Sequence, residues 1–207
     1  MIKETICKPK NEVEFYFDLG SPYSYLATSQ ISIFEKKNNV DVIWRPILLG
    51  GLFKSVENKS PFYVEPANKK RYLLGDLKAW ASMYEIPFTL PSQFPPNTLI
   101  AMRGALVAAK QGLLQEYAKR MFHAYFVSDL NISDASVISD IVKVVGMDVT
   151  EFSLAVDSAD IKKELLDATK EAADRGAFGV PTFFYGNQMF FGNDRLNVLE
   201  HVISSNA

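Results

Sequence analysis

A chain of 207 residues, 48% hydrophobic and 22% charged, fits one globular domain with an insertion better than two very small domains. Its 22 basic and 24 acidic residues leave a net charge of −2, which excludes the basic surplus that advertises nucleic acid or an anionic membrane surface. No apolar run reaches the length of a membrane span, and Met1-Ile2-Lys3-Glu4-Thr5 lacks the apolar core and cleavage site of a signal peptide.

The first structured segment, Val13-Glu14-Phe15-Tyr16-Phe17-Asp18, is bulky and β-prone, and Leu19-Gly20-Ser21-Pro22 turns it into a helix from Tyr23 to about Asn38. A second strand is predicted over 40–45, stopped by Pro46. This strand–helix–strand opening implies a parallel pair with a right-handed crossover. The stretch 48–66, with its glycines, asparagine and prolines, reads as loop. Helices are then predicted at 69–83, 98–110, 113–127, 133–145 and 150–157, and from Ile161 to Arg175. Asn97 or Thr98 offers one N-cap, and Asn131-Ile132-Ser133-Asp134 another. Strand character returns at Thr182–Tyr185, turns at Gly186-Asn187 and pairs back through Gln188–Phe191, before a last helix from Arg195 to Ile203. The order β-α-β, helical block, β-β-α predicts an α/β thioredoxin-like fold: a thioredoxin-like domain at 12–65 and 176–204, with an all-helical insertion at 66–175.

Cys7 is the single cysteine, which excludes an intramolecular disulfide and a Cys-rich metal site; lying before the first strand, it reads as an incidental thiol. His123 and His201 lie far apart within helical patterns, without partners at metal-ligand spacing, so no metal is expected. The compartment reading is reducing and cytoplasmic.

Three segments carry chemical signals. Ser21-Pro22-Tyr23-Ser24 stands where thioredoxin-like proteins hold Cys-x-x-Cys. With serines at both positions disulfide exchange is impossible, leaving a helix N-terminus and two hydroxyls that would stabilise a thiolate brought in by a ligand. The same residues also read as a plain N-cap with proline at the first helical position. Val180-Pro181 suits a cis bond whose neighbouring backbone groups could pair with an extended peptide; it reads equally as a strand-starting proline. Asn193-Asp194 opens the last helix, where free N–H groups take a carboxylate and an acidic side chain takes an ammonium, or where the pair merely caps. Together the three outline one pocket for a short thiol-bearing peptide.

These stretches resemble the 2-hydroxychromene-2-carboxylate isomerases, relatives of the kappa-class glutathione transferases in the wider group of DsbA-like oxidoreductases. The matching residues are Phe15–Leu26, Trp44–Gly51, Phe94–Thr98, Gly179–Phe183 and Phe191–Leu196, so the likeness runs from about Glu12 to about Ile203. The resemblance implies glutathione as cofactor. Ser21 would activate its sulfur as the catalytic residue, Val180 with Pro181 would bind its cysteinyl backbone, Asn193 and Asp194 its γ-glutamyl end, and Asn58 would lie near the site. It implies reversible addition of the thiolate to a conjugated carbon of a small aromatic substrate, rotation about the bond made single, and expulsion of the thiolate. Tyr23, Phe53 and Tyr84 are candidates for the acceptor pocket, and a homodimer is expected. Two departures are visible: Glu57-Asn58-Lys59-Ser60-Pro61 where the family often has Gly-Asn-x-Pro, and Phe191 where a tryptophan often stands. A kappa-like transferase or peroxidase and a redox-inactive thioredoxin-like binding module are the competing readings.

Overall fold

The computed structural model describes residues 11–63 and 67–205; Cys7 lies outside them. Strand β1 (Asn11–Phe17) is followed by α1 (Pro22–Asn38) and β2 (Val40–Pro46). Ser21 caps α1 by accepting from the Ser24 N–H, and Pro22 supplies a preset φ at the first helical position. The helix ends at Asn39, which takes a left-handed φ of 51° and returns its N–H to the Glu35 carbonyl. β1 and β2 pair in parallel from Asn11 opposite Val40 to Phe17 opposite Pro46.

The segment expected to be loop contains a helix, α2 (Leu49–Ser55), and a short 3-10 turn at Pro61–Tyr63. No side chain at Leu48 caps α2. Its leading N–H groups are satisfied from elsewhere in the chain, Leu48 by the Thr169 hydroxyl at 3.0 Å and Leu49 by the Asp18 carboxylate at 2.8 Å. Leu52 is buried beside Ile47, Tyr16 and Ala172. Two adjacent glycines argue against a helix locally, and tertiary burial overrides them.

The helical block comprises α3 (Ala67–Met83), α4 (Leu99–Lys110), α5 (Leu114–Phe126), α6 (Ala135–Val145), α7 (Val149–Asp157) and α8 (Ala159–Asp174). Asp134, Asp148 and Ser158 cap the last three through their side chains. Thr98 stands at the N-cap position of α4, but its hydroxyl bonds Asp18 instead, and the neighbouring Asn97 accepts from the Leu99 N–H. The chain closes with β3 (Thr182–Tyr185), β4 (Gln188–Phe191), a 3-10 turn at Asn193–Arg195 and α9 (Leu196–Ser205). β3 runs antiparallel to both β1 and β4, giving one sheet in the order β2-β1-β3-β4.

Helical block and sheet share one core. Phe15, Phe17 and Trp44 from the sheet belong to the same buried cluster as Met102, Phe122 and Phe126 from α4 and α5. Phe17 and Phe122 lie with ring centroids 6.1 Å apart, and Trp44 meets Phe15 edge-on at 5.3 Å. Each such side chain contributes about 1.5–3 kcal/mol of burial, so the insertion is welded to the sheet across its inner face. A smaller, separate core of Leu26, Phe62, Leu77 and Ala81 seats α3 on α1. Among the described residues no helix is long and apolar enough to cross a membrane.

Candidate active site

The end of β1, the start of α1, the turn before β3 and the turn after β4 converge on a cavity of about 1020 Å³, closed on its far side by α3. That is at the upper edge of the ~300–1000 Å³ usual for small-molecule sites.

Ser21 is only 4% exposed and sits between two partners. Its Oγ accepts from the Ser24 N–H at 3.2 Å and donates to the Val180 carbonyl at 3.2 Å, while its own N–H bonds the Asp18 carbonyl at 3.0 Å. It is therefore an N-cap and also a bridge between the two signal-bearing loops. The second hydroxyl expected from the sequence does not join it. Ser24 faces the packed side of α1, is fully buried, and is absent from the cavity lining.

The Val180-Pro181 peptide is cis. The loop is held by Thr182 Oγ1 donating to the Gly179 carbonyl at 2.8 Å and by the Gly192 N–H donating to the Pro181 carbonyl at 2.9 Å. The second bond ties Val180-Pro181 to the Gly192-Asn193-Asp194 turn, where Gly192 takes a φ of 115° that favours glycine. Asn193 and Asp194 then divide in role. Asn193 is 2% exposed, with Nδ2 at the long limit of 3.5 Å from the Tyr84 hydroxyl. Asp194 has a side chain 39% exposed and pairs with Arg195 at 2.9 Å, setting an acid and a base side by side on the lining.

Asn58 lines the cavity, yet its amide is engaged locally, donating to the Phe178 carbonyl at 2.8 Å and accepting from the Lys59 N–H. It pins the segment after α2 to the lead into β3. Tyr23 and Phe53 line the cavity; Tyr84 does not, and stands behind Asn193. The Tyr23 hydroxyl donates to Asp76 Oδ2 at 2.9 Å, and burial together with that carboxylate pushes its phenol well above the ordinary tyrosine range. Among the described residues no cluster of His, Cys, Asp and Glu could hold a metal, and both histidines are exposed.

Sequence reasoning passed over Asp18. It lies fully buried at the cavity edge, accepting from the Gly20 N–H (2.8 Å), the Leu49 N–H (2.8 Å) and the Thr98 hydroxyl (3.0 Å). One carboxyl thus fixes three lining segments: the Ser21 loop, the start of α2 and the start of α4. Burial drives its pKa upward against the three hydrogen bonds that pull it down. The signal for it was present, a carboxylate ending an apolar strand three residues before Ser21.

Sheet order, helical block and this cavity define a thioredoxin-like domain, and the chain belongs to the DSBA-like thioredoxin domain family, whose model matches residues 12–204. Within that family it is 30% identical over 188 residues to a 2-hydroxychromene-2-carboxylate isomerase of Sphingobium xenophagum, covering 91% of this chain and 95% of the relative. A solved 2-hydroxychromene-2-carboxylate isomerase superposes with a TM-score of 0.82 at 29% identity, covering 94% of this chain and 95% of that one. A kappa-class protein, glutathione S-transferase kappa 2 of Caenorhabditis elegans, is 29% identical over 198 residues, covering 89% and 88%.

Proposed function

We propose that this protein is a glutathione-dependent isomerase that interconverts 2-hydroxychromene-2-carboxylate and trans-o-hydroxybenzylidenepyruvate, or a closely similar conjugated aromatic acid. The observation that carries the reading is the joining of Ser21, Val180-Pro181 and Asp194 on one cavity, in a chain similar over 91% of its length to an isomerase of that name.

The lining suits the charges of glutathione, which has one ammonium and two carboxylates. Asp194 would take the ammonium, Arg195 stands beside it for the neighbouring carboxylate, and Lys59 and Lys69 also line the space. Val180 and Pro181 would hold the peptide's extended centre, with Asn58 keeping their loop in place. When bound, glutathione supplies a nucleophilic thiolate to a conjugated carbon. Ser21 meets that thiolate by turning its hydroxyl away from the Val180 carbonyl. A neutral hydrogen bond of about 0.5–1.5 kcal/mol would be exchanged for a charge-assisted one of about 1.5–3 kcal/mol, a gain provided the freed Val180 carbonyl takes an N–H of the bound peptide in its place. The N-terminus of α1 adds its positive end to the same place. Catalysis by the chain is then orientation and charge stabilisation, with no chain-borne nucleophile. The reading also takes in a homodimer and a role in aromatic-compound breakdown, which rest on the family resemblance, and a cytoplasmic setting, which rests on the N-terminal sequence and the cysteine usage.

The test follows isomerisation by absorbance with and without glutathione. Turnover that requires glutathione and does not consume it is the expected result. Net conjugate formation would move the assignment to a kappa-like transferase, and absence of glutathione binding would overturn it. Ser21→Ala should lower glutathione-dependent turnover roughly 10²–10³-fold, the usual cost of one charge-stabilising donor; unchanged turnover would remove Ser21 from the mechanism.

A further inference from the structure

The α3 side of the cavity differs from the wall just described. It presents two aromatic side chains, Tyr72 and Trp80, with Leu73, one cation, Lys69, and one carboxylate, Asp76. From the first turn of α1, Tyr23 reaches across and donates its hydroxyl hydrogen to Asp76 Oδ2 at 2.9 Å. An ionised carboxylate only accepts, so the Tyr23 proton is committed to Asp76 and the phenolic oxygen keeps its lone pairs for a third group. Tyr23 and Asp76 therefore offer the cavity acceptors. Asp194 adds its negative field at Tyr23, which favours a ligand that brings a proton over one that brings a lone pair.

We propose that the Tyr23–Asp76 pair recognises the free hydroxyl of the second substrate, and so selects aromatic enones that carry a phenolic or hemiketal hydroxyl close to the reacting double bond. This rests on the function proposed above and adds the feature of the substrate that the site reads. Tyr23 and Ser21 both line this cavity, so one bound substrate can meet the Tyr23 oxygen and the place where the sulfur is held. Tyr72 and Trp80 supply aromatic surface on the lining for the ring. The cavity has room for both molecules at once. Tyr23 stays protonated while it does this, because burial and Asp76 both oppose its ionisation.

The test compares two ligands on the full chain and on its Tyr23→Phe and Asp76→Asn variants. The ligands are trans-o-hydroxybenzylidenepyruvate and benzylidenepyruvate, which lacks the hydroxyl. Dissociation constants are taken by calorimetry, with the tripeptide site filled by S-methylglutathione, whose thioether cannot react, and again without it. The wild type should bind the hydroxylated ligand about tenfold more tightly. In both variants that preference should shrink to about twofold or less, through loss on the hydroxylated ligand alone, with S-methylglutathione binding unchanged; removing one partner from each side makes this a double-perturbation cycle. Equal affinity of the wild type for the two ligands overturns the proposal. So does a preference that survives in the variants. A tenfold loss of S-methylglutathione affinity would also overturn it, since the pair would then serve the tripeptide's ammonium. Failure of the wild type to bind S-methylglutathione at all would refute the glutathione reading, while the measurements made without it still read the hydroxyl preference.

Discussion

Replacing Asp18 by asparagine changes one atom of a buried side chain, and its cost can be worked from the three bonds the carboxyl accepts. In the wild type Oδ1 takes the Gly20 N–H, and Oδ2 takes the Leu49 N–H and the Thr98 hydroxyl. An amide in the same place has one acceptor and one donor end. If its NH₂ faces Leu49, that backbone N–H loses its acceptor, although the Thr98 hydroxyl can turn; if the amide flips, Gly20 loses its acceptor instead. Either orientation leaves a part-buried backbone N–H without its acceptor, at about 1–3 kcal/mol. Relief from burying a charge offsets part of this, leaving a net loss of about 1–2 kcal/mol at neutral pH. The pH dependence fixes the sign of the offset. Because the folded pKa of Asp18 lies above its ordinary 3.8, its contribution to stability is fullest below that value and declines as pH rises through the folded value. The asparagine variant lacks that decline, so its deficit should be largest in acid and narrow toward neutrality. Urea unfolding of both proteins at several pH values measures it. A deficit near zero at every pH, or one that widens as pH rises, would refute the reasoning.

Two further predictions concern packing and charge. A Cβ added at Gly104 on α4 would lie 2.5 Å from both Phe152 Cζ and the Tyr117 hydroxyl, which itself donates to the Ala101 carbonyl at 3.1 Å. Gly104→Ala should therefore cost about 1–3 kcal/mol of overpacking despite a gain of ~1 kcal/mol in helix propensity, and a urea midpoint at or above wild type would sink the argument. Burial works against the charge of Glu14, but Arg175 at 2.7 Å and Arg45 at 3.1 Å outweigh it and hold the carboxyl below its ordinary 4.5. That contribution is present above 4.5 and is lost as pH falls through the lowered folded value, so wild type should lose more thermal stability between about pH 5 and pH 3 than Glu14→Gln does; parallel losses would mean the pairs are screened out.

How much of this was legible depends on how local each determinant is. The β1–α1–β2 opening follows from β-prone runs around a serine cap and a proline at the first helical position. The Gly186-Asn187 turn announces its hairpin in the same way, and the helices of the insertion lie within a few residues of their predicted bounds. The resemblance supplied the grouping of Ser21, Val180 and Asp194 that the three separate motifs only outlined. What stayed hidden is held by contacts between distant segments. α2 carries glycines and no cap of its own, so no window of sequence could show it. Asp18 looks like the polar end of a strand until Leu49 and Thr98 are seen against it. Thr98 was legible as a helix start, but its hydroxyl is diverted to Asp18. Tyr84 was legible only as one aromatic among many, and whether it lines the cavity or backs Asn193 is settled by the packing of α3. Asp76 gave no signal at all, because its partner lies 53 positions away.

The borrowed capping of α2 also says something about how the cavity comes to exist. Its two anchoring bonds span sequence separations of 31 and 121 residues, one reaching back to the end of the first strand and the other forward to the last helix of the insertion. Closing loops of such different length is an entropic expense met only when both segments have docked. The wall that α2 contributes is thus a product of the assembled chain. No fragment ending before Thr169 contains both anchors, so the site belongs to the whole fold and to no smaller piece of it.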